Sequence, residues 1–183
     1  AVALSQPFVE GDDVIGWLVE HAEEDCVVAT NDNDLAVLNG FNKQGAHCQV
    51  RVNGEIAKNK YGDFDFKLIT LYKATVGDSS DNIPGIKGFG PKAWMEFDAR
   101  FGEKGMDYIT GLLESESLVS MEADSEKDKF VKRQFDGRLD FQRSWKLAKL
   151  RPEWVDTLRD ALQWEPGFVH GKVTDLRLRK FAA

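Results

Sequence analysis

The hydrophobic pattern changes its period once along this 183-residue chain, near residue 61. Before that point, short apolar runs alternate with turn residues, which is typical of strands joined by loops. From Phe66 onward, apolar residues recur at helical spacing between glycine, serine or proline breaks. The predicted fold class is therefore α/β, with an α/β portion over residues 1–60 and a helical portion over residues 61–183. The predicted helical segments are "FKLITLYKATV", "PKAWMEFDARF", "MDYITGLLES", "EKDKFVKRQF", "RSWKLAKL" and "EWVDTLRDALQ".

The first portion contains signals for four elements. Residues 10–22 form a predicted amphipathic helix whose first turn is acidic. The run "CVVAT" predicts a buried strand that ends at the polar cluster "NDND", and "LAVL" predicts a brief helix or turn. The pair Asn53-Gly54 between alternating residues predicts a β-hairpin over residues 46–57.

Composition limits the class of protein. A chain that is 42% hydrophobic and 30% charged has the composition of a soluble globular protein, and its net charge of −7 excludes a uniformly basic surface. Any contact with nucleic acid must come from a local basic patch. Cys26 and Cys48 lack metal-ligand spacing, which predicts buried free thiols in a reducing compartment. No apolar run approaches the roughly 18 residues of a membrane span, and "AVALSQPF" lacks the basic region of a signal peptide, so we expect a cytoplasmic protein that is not secreted.

Three acidic groups stand out in the sequence. Each has a simpler explanation when it is taken alone: acids in a first helical turn offset the helix dipole, and "NDND" is typical of a polar turn. "GDSSD" follows the carboxyl end of a predicted helix, where negative charge is disfavoured, so we expect a positive group nearby. The acids are Glu10, Asp12 and Asp13 in "EGDD", Asp32 and Asp34 in "NDND", and Asp78 and Asp81 in "GDSSD".

The position of these acids favours a metal site. Ligands gather outside the carboxyl ends of parallel strands, which is where "NDND" would lie if "CVVAT" is such a strand. Converging carboxylates repel one another unless cations neutralise them, and no lysine or arginine precedes Lys43. Oxygen ligands without histidine or cysteine favour Mg²⁺ or Mn²⁺ over zinc.

The stretch "GIKGFGPKA" has the features of a phosphate-binding turn. Its glycines, Gly85, Gly88 and Gly90, let backbone N–H groups approach a partner, and the following proline suits the first position of a helix. Lys87 and Lys92 add positive charge at a predicted helix start. Ile86 and Phe89 would anchor the turn to its flanking helices. This pattern resembles a helix-hairpin-helix element that holds a DNA backbone without reading bases.

Taken in order, "EGDD", "NDND" and "TVGDSSDNIPGIKGFGPKAW" resemble the motifs of the 5′-nuclease family over roughly residues 8–94. That family includes the 5′-3′ exonuclease domain of bacterial DNA polymerase I, bacteriophage 5′-exonucleases and flap endonucleases. The resemblance implies a PIN-like parallel-sheet nuclease core followed by a helix-three-turn-helix element at about residues 66–100. Gly11 replaces the family's usual alanine.

The resemblance also implies a site and its partners. The implied activity is hydrolysis of DNA near 5′ ends, by exonuclease or flap endonuclease action, at two Mg²⁺ or Mn²⁺ ions held by the seven acids. The implied DNA contacts are Gly85, Lys87, Gly88, Gly90 and Lys92, with K⁺ as a further ligand of the hairpin; the implied setting is a bacterium or a phage-infected host. Lys73, one helical turn before Gly77, is a candidate phosphate contact because of its position.

Family members carry a further strand, acids and a basic arch before the "EGDD" position. We therefore expect this chain to be the carboxyl-terminal portion of a longer nuclease, with that amino-terminal half as a second chain or a lost segment as alternatives. A second functional interpretation is a non-catalytic module that binds duplex DNA and retains only the helix-hairpin-helix element. A phosphatase-type nucleophile at Asp32 would leave the hairpin unexplained.

The remaining signals favour structural roles. We expect His21 to lie on a helix face beside Trp17 and Leu18, as a buried or partly buried histidine rather than a ligand. The tryptophans at 94, 145, 154 and 164 are expected on apolar helix faces. The basic run Lys127, Lys129, Lys132 and Arg133 is interpreted as a solvated face, with an extension of the DNA contact as the alternative.

Overall fold

The structure is a computed structural model, and it describes residues 9–108 and 128–157. The described chain divides into two compact units. The first contains residues up to 58 and residues from 150 onward, and the second contains residues 59–149. The elements, in chain order, are α1 (Gly11–Glu20), β1 (Cys26–Thr30), a 3-10 helix (Asp34–Leu38), β2 (Gly40–Phe41), β3 (His47–Val52), β4 (Glu55–Ile56), a 3-10 helix (Phe66–Leu68), α2 (Ile69–Val76), α3 (Pro91–Phe101), a 3-10 helix (Gly102–Lys104), α4 (Lys129–Asp136), α5 (Arg138–Ala148) and α6 (Pro152–Thr157).

The sheet of the first unit is small and mixed. β1 pairs with β3 in parallel, so that Cys26 lies opposite Cys48 and Thr30 opposite Val52. β2 and β4 each pair with β3 in antiparallel fashion. An α/β fold is thus confirmed, whereas the PIN-like core stays a prediction, because only one strand pair described here is parallel.

The hairpin between β3 and β4 follows its sequence signal. Asn53 and Gly54 both have positive φ values, 53° and 84°, as a two-residue turn between twisted antiparallel strands requires. Arg51 pairs with Ile56, and Val52 pairs with Glu55. The predicted hairpin is therefore confirmed.

The prediction that "CVVAT" is a buried strand was wrong in its burial, although the strand itself is present. Residues of β1 alternate between half-buried and exposed, and Val27 is 52% exposed. Among the described residues β1 pairs only with β3, and one face of the strand is open, so alternate side chains reach solvent. Both cysteines are free, and Cys48 is buried while Cys26 is half-buried.

Chain segments far apart in sequence complete the first unit. The buried carboxylate of Asp13 on α1 accepts the backbone N–H of Arg151 at 2.6 Å. Leu150 packs against Gly16, where a Cβ atom would lie 3.5 Å from the leucine Cδ1 atom. Val155 on α6 is fully buried. The predicted boundary at residue 60 stays a prediction, since the first unit also contains these later residues.

The second unit is built around an aromatic core. Ile86 and Phe89 of the glycine turn are 3% and 2% exposed, as expected of residues that anchor the turn. Trp94 packs against Phe97, with ring centroids 5.6 Å apart. The buried residues of this core are Leu68, Leu71, Tyr72, Ala74, Ile86, Phe89, Ala93, Trp94, Phe97, Phe130 and Phe141.

The other tryptophan predictions had mixed outcomes. Trp145 is partly buried against the core of the second unit. Trp154 is 42% exposed, so its predicted place on an apolar helix face was wrong; it lies under the guanidinium of Arg151, 4.3 Å from the ring centroid. Trp164 and Lys127 lie outside the described residues. Among residues 9–108 and 128–157, none of the helices combines the length and apolar character that a membrane span requires.

Candidate metal and nucleic-acid sites

The acids of "EGDD" occupy the start of α1. Glu10 is extended and precedes the helix, and its side chain makes no capping hydrogen bond. Asp12 is half-buried in the first turn, whereas Asp13 turns inward to bind the Arg151 amide. The structure thus gives Asp13 a structural partner, while its predicted role as a metal ligand stays a prediction.

The acids of "NDND" follow the carboxyl end of β1, as the pattern predicted. The backbone N–H of Asp32 binds the hydroxyl of Thr30 at 2.9 Å. The Asp32 Oδ1 atom accepts the N–H of Asp34 at 2.8 Å, which forms the polar turn that opens the 3-10 helix. Asp32 remains exposed, and Asp34 is half-buried.

Electrostatics connect these two motifs. Burial raises the pKa of Asp12 above its usual value, and repulsion from Asp32, Glu10, Asp13 and Asp34 raises it further. Residues 9–42, which contain these five acids, have no lysine or arginine. This concentration of negative charge, formed by carboxylate oxygens, fits a Mg²⁺ or Mn²⁺ site.

Asp12→Asn should therefore stabilise the metal-free protein. A raised pKa means that the stability contribution of this carboxyl is present below its usual pKa of 3.8 and is lost as pH rises through the raised value. At pH 7 we expect the substitution to increase the free energy of unfolding by roughly 0.2–1 kcal/mol, the range for a solvent-screened charge pair. Urea denaturation in EDTA measures the difference. The gain should vanish at pH 3, and an equal gain at both pH values would contradict repulsion as its cause.

The acids of "GDSSD" lie in the turn after α2, beside the predicted positive group. Lys73 Nζ lies 2.5 Å from Asp81 Oδ2 and 3.6 Å from Asp78 Oδ2. Tyr61 donates its hydroxyl to Asp78 Oδ2 at 2.7 Å. Burial by itself would raise the pKa of Asp78, but hydrogen bonds from Ser80 and Tyr61 and the charge of Lys73 outweigh it and hold the pKa well below its usual value.

The glycine turn folds back against α2. Asp78 and Ile83 exchange backbone hydrogen bonds at 2.9 and 2.8 Å, and the N–H of Ile86 binds the carbonyl of Thr75 at 2.8 Å. The N–H of Gly85 donates to Ser144 Oγ on α5 at 3.1 Å in a buried position. The Gly85 amide is thus bonded within the protein, so the phosphate contact expected of Gly85 would have to replace this hydrogen bond.

The outer part of the turn is open to solvent. Lys87, Gly88 and Lys92 are exposed, and Gly90 is half-buried at the start of α3. Arg133 on α4 reaches the same place, with its Nη1 atom 3.4 Å from the carbonyl oxygen of Gly88. No carboxylate of the described residues lies within 4.0 Å of the charged atoms of Lys87, Lys92 or Arg133. The basic run that contains Arg133 was interpreted as a solvated face. The position of Arg133 beside Gly88 could not be predicted, because it depends on how α4 packs.

His21 ends α1 and is exposed, so the expectation that it would be buried or partly buried was wrong. Its ring stacks on Trp17 with centroids 4.4 Å apart, and its Nδ1 atom lies 2.9 Å from the Trp17 carbonyl oxygen.

The fold and these two groups of side chains define an α/β protein with an acidic, oxygen-rich site in one unit and a lysine-bearing glycine turn in the other. Comparison with known proteins adds three relatives. DNA polymerase I of Bacillus subtilis (strain 168) is 35% identical over 120 residues, which are 61% of this chain and 13% of the relative. DNA polymerase I of Caldicellulosiruptor bescii is 39% identical over 95 residues, 46% of this chain and 11% of the relative. The 5′-3′ exonuclease of Buchnera aphidicola subsp. Baizongia pistaciae is 34% identical over 107 residues, 54% of this chain and 34% of the relative.

About half of the chain is therefore related to 5′-3′ exonuclease domains, and the resemblance predicted from its motifs is confirmed. The alignments span between about a tenth and a third of the length of these relatives. No protein-family model matches the chain. No solved structure matches it either.

Proposed function

We propose that this chain acts in the divalent-metal-dependent hydrolysis of DNA phosphodiesters near 5′ ends, as a 5′-3′ exonuclease or a structure-specific flap endonuclease. The observation that carries the proposal is the crowding of carboxylates around Asp12, whose pKa is raised by repulsion from acids of two separate motifs. The similarity to 5′-3′ exonuclease and DNA polymerase I supports the same reaction class.

The acidic group of the first unit is the proposed metal site. Glu10, Asp12, Asp32 and Asp34 offer carboxylate oxygens, and Asp13 supports the helix start from its buried position. Divalent cations held there would supply an activated water and would stabilise the charge that develops on the leaving 3′ oxygen. The product would carry a 5′ phosphate. The protein's own part is to hold these carboxylates in place, through α1 and the turn that Asp32 forms.

The outer glycine turn is the proposed DNA contact. Lys87 and Lys92 present exposed charges beside Gly88 and the first turn of α3, where free N–H groups and the helix dipole favour a phosphate. Such contacts position a duplex without reading its sequence. Arg133 adds a third charge at the Gly88 carbonyl. Binding of K⁺ at the turn is part of the same proposal.

Two measurements test the reaction. Mn²⁺ binding to the full chain is followed by electron paramagnetic resonance, and cleavage of a 5′-labelled duplex with a flap is followed with Mg²⁺ and with EDTA. We expect Mn²⁺ uptake and cleavage that EDTA abolishes. Salt-sensitive DNA binding with neither metal uptake nor cleavage would reject the enzyme. It would leave a non-catalytic duplex-binding module, which the exposed Lys87 and Lys92 by themselves would support.

Replacing Lys87 and Lys92 together with alanine should weaken duplex binding and make it less dependent on salt. Each lysine that neutralises a phosphate contributes nearly one unit to the slope of log affinity against log salt, so we expect the slope to fall by about two units. Fluorescence anisotropy with a labelled duplex at several salt concentrations measures it. The matched control is Lys43→Ala with Lys58→Ala, which removes two exposed lysines from the first unit. An unchanged slope in the Lys87→Ala/Lys92→Ala variant would show that the glycine turn does not contact DNA.

A further inference from the structure

Lys73 is a buried cation in the middle of α2. Lys73 is 5% exposed, whereas most lysines of a soluble protein lie at the surface. An isolated ammonium in such a position would be strongly unfavourable, so it requires a close negative partner. Asp81 and Asp78 supply that charge, with carboxylate oxygens 2.5 and 3.6 Å from Nζ.

The two aspartates differ in how much of their hydrogen-bonding capacity the protein uses. Asp78 Oδ1 accepts both the backbone N–H and the hydroxyl of Ser80, and Oδ2 accepts the hydroxyl of Tyr61. Asp78 therefore has protein donors on both oxygens, and its side chain is 9% exposed. The side chain of Asp81 is 43% exposed and receives Lys73 on one oxygen. The donor set of Asp78 is thus a poor fit to a cation that needs its oxygens free.

These partners fix the segment that leads into the glycine turn. Gly77 ends α2 at φ +93°, and Asp78 then pairs with Ile83 through two backbone hydrogen bonds. The Tyr61 hydroxyl donates to Asp78 Oδ2, and Lys73 on α2 lies 3.6 Å from the same oxygen. The geometry of the turn is therefore supported by charges that belong to the protein.

We propose that Lys73 is the internal counter-ion of Asp78 and Asp81, and that a divalent cation reaches these aspartates only in competition with its ammonium group. The counter-ion role needs no metal. The competition with a divalent cation rests on the proposed function, because it concerns the cations of the proposed nuclease. In this role Lys73 is a positioning residue. The phosphate contact predicted from its place in the sequence is disfavoured, since the buried ammonium already lies against two carboxylates.

The test compares Lys73→Met with the wild-type full chain by thermal unfolding, in EDTA and in Mg²⁺ or Mn²⁺. Because the substitution leaves Asp78 with no ammonium partner in its buried position, we expect Tm in EDTA to fall by roughly 10 °C. Divalent cations should then raise Tm more in the variant than in the wild type, because no lysine competes. Lys67→Met, which removes an exposed lysine at the preceding turn, is the matched control and should leave both values near wild type.

A rescue experiment keeps the proposal testable if Lys73→Met does not fold. Asp81→Asn alone should lower Tm because Lys73 loses its nearest partner, and the double variant Lys73→Met/Asp81→Asn should unfold at a higher temperature than the sum of the two losses implies. Additive losses, or an unchanged Tm of Lys73→Met in EDTA, would overturn the counter-ion role. An equal cation effect in Lys73→Met and wild type would overturn the competition. Failure of DNA cleavage affects only the proposed function, because the EDTA measurements involve neither metal nor DNA.

Discussion

Replacing Gly85 with alanine should lower the free energy of unfolding by about 4 kcal/mol, the combined cost of a strained backbone and an overpacked site. Gly85 has a φ of +65°, and a Cβ atom there would lie 2.5 Å from the backbone nitrogen of Gly77 and 2.7 Å from the carbonyl oxygen of Thr75. These are main-chain atoms of the segment that ends α2, so no side chain can move aside. Urea denaturation monitored by tryptophan fluorescence measures the loss.

Gly88→Ala is the matched control for this prediction. Gly88 has a similar φ of +76°, but a Cβ atom there would have no neighbour within 4 Å. Only the cost of the left-handed backbone then applies, about 1–2 kcal/mol. If both variants lost the same stability, the close approach of Gly85 to α2 would not be the cause.

Replacing Asp12 and Asp32 together with asparagine should lower the affinity for Mn²⁺ by more than the roughly 10–100-fold that follows loss of an outer partner of a metal ligand. Both carboxylates belong to the acidic group of the first unit, and each substitution removes a negative charge while keeping the size of the side chain. Titration calorimetry or electron paramagnetic resonance measures binding, and Mg²⁺-dependent cleavage should be lost in parallel.

The control for this variant is Glu23→Gln, an exposed acid after α1 that lies outside both acidic motifs. It should keep the wild-type affinity. If the two variants bound Mn²⁺ equally well, the acidic group around Asp12 would not be the metal site. If the Asp12→Asn/Asp32→Asn variant bound Mn²⁺ as tightly as the wild type but lost cleavage, these carboxylates would affect the reaction by a route other than metal binding.

Much of the local structure could be predicted from short sequence signals. The Asn53-Gly54 hairpin, the acidic start of α1 and the proline at the start of α3 depend on a few adjacent residues, and the structure contains all three. The positive group expected near "GDSSD" is also present, in the form of Lys73. Patterns of this kind succeed because backbone preferences and helix dipoles act within one or two turns of chain.

Features that depend on distant segments could not be predicted. The bond from Arg151 to Asp13 joins residues 138 apart, and the bond from Gly85 to Ser144 joins residues 59 apart. The Asp13 carboxylate was predicted to bind a metal and the Gly85 N–H was predicted to bind a phosphate, but each makes a hydrogen bond within the protein instead. The exposure of β1 was missed for the same reason, because an apolar run does not reveal how many neighbours its strand has.

Because residues 150–157 belong to the first unit, the two units cannot fold in the order in which they are synthesised on the ribosome. Residues 59–149 are contiguous and contain the aromatic core described above, whereas α1 cannot make its contacts with residues 150–155 until these have been synthesised. At roughly 5–20 residues per second, at least several seconds separate the emergence of α1 from that of α6. During this interval the later-encoded unit can finish first, and Asp13 depends on water until its amide partner leaves the exit tunnel.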